Sequence, residues 1–242
     1  PEIVQERVKS LSLRCCPEII NPRDFERLDD YADKLYEMRK RKGITKSDAL
    51  KALQDVNVFG PMMVKMGDAD AFVSGLTHQY PEVLRPALQI HHTHPDNRIA
   101  AAAYVMIIKN QVYIFADATV NIDPTAEDLA EIACLAGRFA RQLELEPRIA
   151  MLSFSNFGST RHPLSDKIRR AVDLIREQHP EVVVDGEMQA DTAVVPEIVQ
   201  DRFPFSQVKD ANVLVFPSLE AANIAYKLLA RLGDAQAIGP IL

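Results

Sequence analysis

The residues best suited to chemistry lie in Arg148-Ile-Ala-Met-Leu-Ser-Phe-Ser-Asn-Phe-Gly-Ser-Thr-Arg-His-Pro163. Ser155, Gly158 and Ser159 sit in a small-polar loop that follows the apolar run Ile149–Leu152. Beyond Pro163 the apolar residues Ile168, Val172 and Ile175 recur at helical spacing. A strand buried on both faces, a Ser/Gly loop and a helix together aim hydroxyls and backbone N–H groups at an anion. The stretch therefore suits a phosphate, or the phosphates of CoA. Every α/β crossover also needs a loop, and small residues are common there, so the pattern alone leaves both readings open.

Other residues could join this loop. Arg85 follows the Gly75-Leu-Thr77 loop, which itself follows Ala71–Ser74, an apolar run that reads as a buried strand. Ligands of open α/β sheets sit at such strand ends. A guanidinium grips a phosphate or carboxylate bidentately, and Thr77 can donate to the same anion. Arg85 equally fits a surface arginine in the first turn of a helix. His91, His92 and His94 suggest metal ligation, but adjacent histidines on a strand point to opposite faces and no carboxylate or cysteine spacing completes a set, so no metal site is expected. Asp185-Gly-Glu-Met-Gln-Ala-Asp191 reads as a polar turn after the strand Val182–Val184. It could supply a general base, orient arginines, or simply use Asp and Gly for their backbone tolerance. Asn223 and Lys227 lie one helical turn apart near a helix N-terminus, where a lysine is unfavourable unless an anion is present. Cys134, on the apolar face of a helix, reads as inert core.

Strands alternating with helical segments must hold these residues, which places the chain in the α/β class. Residues 25–41 carry Leu28, Tyr31, Leu35 and Met38 at the spacing of a buried helical stripe. Gly43 ends that helix, and Thr45-Lys-Ser-Asp48 caps the next. Ala101–Ile108 and Gln111–Ala116 are apolar runs separated by Lys109-Asn110, a spacing that predicts a tight hairpin and hence a mixed sheet. Asp123-Pro-Thr125 opens an amphipathic helix to about Leu143. A strand over Asn212–Phe216, a helix over Ala221–Leu232 and a last strand from Ala237 complete the pattern. The seam is expected after the hairpin, with residues 1–124 as a first α/β lobe and 125–242 as a second. The chain opens directly on a helical pattern, with a short strand around Leu13, and its ending at Ile241-Leu242 reads as a cut.

Composition narrows the function classes. The 242 residues are 47% hydrophobic and 26% charged, enough for one large domain or two small ones. A formal charge of -6 and a pI near 5.6 argue against a nucleic-acid partner. No apolar run approaches the ~20 residues of a membrane span. Three cysteines, Cys15, Cys16 and Cys134, show no C-x-x-C spacing and fit a reducing cytoplasm.

Taken together, these stretches resemble the phosphate acetyltransferase (phosphotransacetylase) family. The matching pieces are Gly75-Leu-Thr77 with Leu84-Arg-Pro-Ala-Leu-Gln-Ile90, and Phe115-Ala-Asp117 with Val120-Asn-Ile-Asp-Pro-Thr-Ala-Glu127. They continue with Met151-Leu-Ser-Phe-Ser155, Gly158-Ser159, and Val184-Asp-Gly-Glu187 with Gln189 and Asp191. Ala211-Asn-Val-Leu-Val-Phe-Pro217, Asn223-Ile-Ala-Tyr-Lys227 and Ala237-Ile-Gly-Pro-Ile-Leu242 close a colinear series that begins near residue 55. Within the family, Ser155-Asn-Phe-Gly-Ser159, Gly186-Glu-Met-Gln-Ala-Asp-Thr192 and Ala221-Ala-Asn-Ile-Ala225 look like the C-terminal phosphotransacetylase-like domain of bacterial multidomain NADP-dependent malic enzymes.

The resemblance implies a two-lobed fold like that of isocitrate and isopropylmalate dehydrogenases, with mixed, mostly parallel sheets flanked by helices and a ligand cleft between lobes. It implies acetyl-CoA or a related CoA ester as ligand, held by Thr77, Arg85, Ser155, Ser159 and Asn223, and dimerisation through this domain or a higher oligomer. The family's opening strand and its C-terminal segment, which carries a Ser-Arg pair and an Asp that serves as base, lie outside this chain. The function expected first is regulatory: a non-catalytic module that reports acetyl-CoA to a malic enzyme domain in the same polypeptide, through coupling of ~1–3 kcal/mol. NADP and a divalent metal would belong to that other domain. The alternative is an active phosphate acetyltransferase, with Arg85 and the Ser155–Ser159 loop on phosphate and on the charge developing at the acyl oxygen. A third reading is an oligomerisation scaffold.

Overall fold

The computed structural model describes residues 2–11 and 17–242; the short strand expected around Leu13 falls outside them. The chain divides into two compact units, Pro1–Thr93 and His94–Leu242. This seam precedes the expected one at 124, because both strands of the hairpin pair into the sheet of the second unit.

In the first unit, apolar residues at helical spacing produce α1 (Glu2–Ser10), α2 (Leu28–Arg39), α3 (Lys46–Ala52), α4 (Val56–Met66) and α5 (Tyr80–His91). Thr45 and Asp48 form a capping box that satisfies the first N–H groups of α3. Tyr31, Leu35, Leu53, Phe59, Met62 and Ile90 are buried together. Phe25, Tyr31 and Phe59 meet ring to ring, with centroids 5.1 to 5.5 Å apart. Asp68, which follows α4, ties this cluster by accepting from Arg27 at 2.6 Å and from the Tyr31 hydroxyl. Those two donors hold its carboxyl below the usual range, with the Tyr31 bond the largest contributor. The expected strand at Ala71–Ser74 does not form, and Val73 is exposed. A strand needs a ladder partner, and the described residues of this unit contain helices alone.

The second unit is a six-stranded sheet in the order β4-β3-β5-β2-β1-β6. Its strands are β1 (Ala103–Ile108), β2 (Gln111–Ala116), β3 (Ile149–Leu152), β4 (Val184–Met188), β5 (Val213–Val215) and β6 (Gln236–Ile241). The pairs β2–β5, β5–β3 and β3–β4 are parallel, while β1 runs antiparallel to β2 and β6. Lys109 and Asn110 both adopt positive φ, 49° and 65°, as a two-residue hairpin turn requires. The mixed, mostly parallel α/β fold expected from the sequence is thus present in this unit.

Helices α6 (Ala126–Gln142) and α7 (Pro163–Gln178) cover one face of the sheet. Helices α8 (Ala190–Val194) and α10 (Leu219–Leu232) cover the other, and α9 (Pro196–Arg202) follows α8. Residues along each central strand alternate between the two cores: Ile149 and Met151 join α6 and α7, while Ala150 and Leu152 face the opposite side. Burial on both faces explains why these strands read as continuous apolar runs. β4 departs from the sequence expectation. Asp185, Gly186 and Glu187 lie in the strand and are buried, where a polar turn was expected. Asp and Gly are poor strand formers, so local propensity pointed away from the pairing that β3 enforces. Among the described residues, no helix is long and apolar enough to cross a membrane.

Ile132 is fully buried between α6 and the sheet. Ile132→Ala is expected to cost about 2–5 kcal/mol, read as a lower urea midpoint at constant m-value. A loss below about 0.5 kcal/mol would show that this core is not close-packed.

Candidate functional site

The parallel strands β2, β5, β3 and β4 bring their carboxyl ends to one edge of the sheet. From β3 the chain crosses through α7 to β4 on one side; from β5 it crosses through α10 to β6 on the other. The gap between β3 and β5 is therefore a topological switch point, the place where open α/β sheets hold ligands. Lys167 braces it: its Nζ donates to Asp123 Oδ1 at 3.0 Å and to the Pro217 carbonyl at 3.2 Å, joining the loops after β2 and β5.

The β3–α7 loop carries Ser155 and Ser159. Ser155 is wholly buried, and its hydroxyl donates to Glu187 Oε1 at 2.9 Å while accepting the Thr160 N–H at 3.0 Å. It thus braces the loop from within, while Ser159 is exposed. Ser159 Oγ also accepts the Asn156 N–H at 3.0 Å and lies 3.2 Å from Ser155 Oγ. On the strand side, Gln189 clips the loop by three hydrogen bonds. Its N–H reaches Asn156 Oδ1 at 2.7 Å, its Oε1 accepts from Asn156 Nδ2 at 3.0 Å, and its Nε2 donates to the Phe154 carbonyl at 2.7 Å. Phe157 packs against Phe203 and Phe205, with ring centroids 5.0 Å away.

Asn223 lies half-buried on α10, whose N-terminus is capped by Ser218, and Lys227 is exposed one turn further on. The other two expected ligand residues belong to the first unit. Thr77 is exposed in the segment before α5; Arg85 is exposed in the second turn of that helix, beside Arg39 and Gln89 in an open groove of about 390 Å³. Gln79 and Glu82 cap α5, the Gln79 N–H reaching Glu82 Oε2 at 2.9 Å. His91, His92 and His94 do not lie on a strand: His91 closes α5 with its Nε2 at 2.9 Å from the Pro61 carbonyl, and His92 caps that helix. Cys134 is half-buried on α6, and burial pushes its thiol up to about 11.

By sequence alone Asp185 fits either a general base or a turn residue. In the structure its carboxylate is fully engaged: Oδ1 accepts from Arg176 at 2.7 Å and the Gly186 N–H at 2.9 Å, and Oδ2 from Ser206 at 2.8 Å and the Gln207 N–H at 3.0 Å. Asp117, after β2, is likewise buried and accepts the N–H groups of Thr119, Val120 and Asn121. Glu187 and Gln189 emerge as loop-holding residues that sequence reasoning placed in a turn. The signal was present in their i, i+2 spacing, which puts both side chains on one face of an extended segment. Asp185→Ala strands buried donors and is expected to cost about 1–3 kcal/mol in urea unfolding. An unchanged midpoint would remove Asp185 from the scaffold.

Comparison with known proteins gives a consistent result. The family described as phosphate acetyl/butaryl transferase matches residues 2–242. A phosphate acetyltransferase of Thermoanaerobacterium thermosaccharolyticum is 47% identical over 232 residues, 93% of this chain and 71% of that protein. One from Bacillus subtilis is 43% identical over 241 residues, 99% of this chain and 74% of that protein. The crystal structure of a phosphotransacetylase from Streptococcus pyogenes superposes with a TM-score of 0.91 at 43% identity, covering 99% of this chain and 74% of that one. These matches overturn the expectation of a non-catalytic regulatory module of a malic enzyme: relatives this similar, over nearly the whole chain, are named as acetyltransferases. The oxidoreductase and NADP associations of that reading fall with it.

Proposed function

The chain belongs to the phosphate acetyl/butaryl transferase family, and on that premise we propose that it transfers an acetyl group between CoA and phosphate. The observation that carries this reading is identity of 43% along 99% of the chain to a phosphate acetyltransferase. In the forward direction a phosphate oxygen attacks the thioester carbonyl carbon. The C–O bond forms, the C–S bond breaks, and the proton that phosphate gives up balances the one taken by the leaving CoA thiolate.

Arg85 suits the phosphate, since a guanidinium offers paired donors to two of its oxygens, and Thr77 adds a hydroxyl to the same anion. Ser159 and Asn223 suit the acyl carbonyl, where donors aimed at developing negative charge lower the barrier. Ser155 has a positioning role, being buried beneath the loop. Acetyl-CoA, or a related CoA ester, is on this reading a substrate and not a regulatory signal. A cytoplasmic setting, expected from the cysteine usage, goes with such a substrate. A homodimer is also proposed: Ile224, Leu228 and Leu232 are exposed one turn apart along α10, an apolar stripe that a second copy could cover.

The test is an assay of phosphate-dependent CoA release from acetyl-CoA by the intact protein, with acetyl phosphate trapped by hydroxylamine. Turnover that requires phosphate is the expected result, and CoA release indifferent to phosphate would sink the proposal. Arg85→Gln is expected to raise KM for phosphate roughly 10- to 100-fold, the loss of a charge-assisted contact.

A further inference from the structure

The β3–α7 loop has the appearance of an anion cradle, yet the N–H groups from Asn156 to Thr160 are already committed. The Asn156 N–H goes to Ser159 Oγ at 3.0 Å and the Ser159 N–H to the Asn156 carbonyl at 2.9 Å. The Phe157 N–H goes to the Glu187 carbonyl at 2.8 Å, the Gly158 N–H to Glu187 Oε1 at 2.7 Å, and the Thr160 N–H to Ser155 Oγ at 3.0 Å. Phe157 and Gly158 adopt left-handed φ of 46° and 86°, the kind of turn whose successive N–H groups converge on an anion. The anion at that convergence is the protein's own. Glu187 is fully buried, and its Oε1 collects both the Gly158 N–H and the Ser155 hydroxyl. Its other oxygen, Oε2, has no hydrogen bond; it lies 3.2 Å from Arg169 Nε in an ion pair whose geometry is not that of a hydrogen bond.

We propose that Glu187 is the resident anion of the β3–α7 loop, a positioning residue that holds the loop in the shape a ligand meets and leaves the substrate anion to side chains, not to loop amides. An isolated buried carboxylate is costly, so the donors that close around it and the neighbouring Arg169 charge make one loop conformation strongly preferred. Ser159 is then presented outward because Ser155, four residues earlier, is anchored inward. The consequence for recognition rests on the transferase reading; the loop's dependence on Glu187 does not.

The experiment separates the two. In the intact protein, Glu187→Ala is expected to speed amide hydrogen exchange across residues 155–160 by roughly tenfold or more while β3 stays protected, because the loop loses its charged acceptor. Millimolar formate, a carboxylate small enough for the vacated position, is expected to restore protection. Glu187→Gln keeps an oxygen acceptor for Ser155 and Gly158 and is expected to stay within about threefold of the parent, the scale of a neutral acceptor replacing a charged one. Should Glu187→Ala fail to fold, Glu187→Asp, one methylene short of the donors, takes its place with the same expected exchange. On the transferase reading, which places Ser159 at the acyl carbonyl, kcat is expected to fall about tenfold in Glu187→Ala and to recover with formate, which a generally destabilised fold would not do. Unchanged exchange in the loop, or, in Glu187→Ala, exchange that formate does not reverse, overturns the proposal. Absence of transferase turnover in the parent protein would instead overturn the proposed function and leave the exchange result to decide the role of Glu187.

Discussion

Three carboxylates, Asp117, Asp185 and Glu187, are buried in the second unit, and each draws the surrounding chain into place to meet its demand for donors. A carboxylate removed from water must be paired or hydrogen-bonded, or it does not stay charged and buried. Asp117 satisfies that demand from the turn after β2, Asp185 from α7 and the segment around Ser206, and Glu187 from the β3–α7 loop. The loops at the carboxyl edge are thereby fixed by strands at their base. Loops so held suit a site where reactants must meet in a set geometry, because ordering has already been met at folding and is not charged against binding.

The doubly covered sheet is what makes that arrangement stable. Central strands bury alternate residues in two separate cores, so a one-residue register slip would send every side chain into the wrong core. Gly186 belongs to the same constraint: its φ of 143° and the approach of Met151 O, 2.6 Å from where a Cβ would stand, admit no side chain. The strand thus presents Asp185 and Glu187 on either side of a residue that cannot be other than glycine.

The residues that resemble a malic enzyme domain have structural roles in this fold. Asn156 serves as the side chain that clips Gln189, Met188 fills the core beneath α8, and Thr192 is buried in α8 itself. Roles in packing and clipping can shape a short motif, so motif differences around them are a weak guide to whether a family member is catalytic. Identity spread along the whole chain is the stronger guide, because it includes the core and the loops together.

Local information was enough for the helices. Apolar periodicity and the Thr45–Asp48 and Thr125–Asp128 capping boxes act within a few residues, and α2, α3, α6, α7 and α10 appear where that periodicity places them. The Lys109-Asn110 hairpin and the α/β class were legible for the same reason. The placement of Ser159 on a loop and of Asn223 in the first turns of a helix was legible too. What only the tertiary structure decided were the features that depend on a distant partner. Ala71–Ser74 is apolar enough for a strand but finds no ladder, and the seam falls after Thr93 because the hairpin pairs with β5. Ser155 faces inward because a carboxylate 32 positions later lies beneath it. Asp185 and Glu187 look like turn residues in sequence because polarity is local, whereas the donors that permit their burial come from α7, from the β3–α7 loop and from beyond α9.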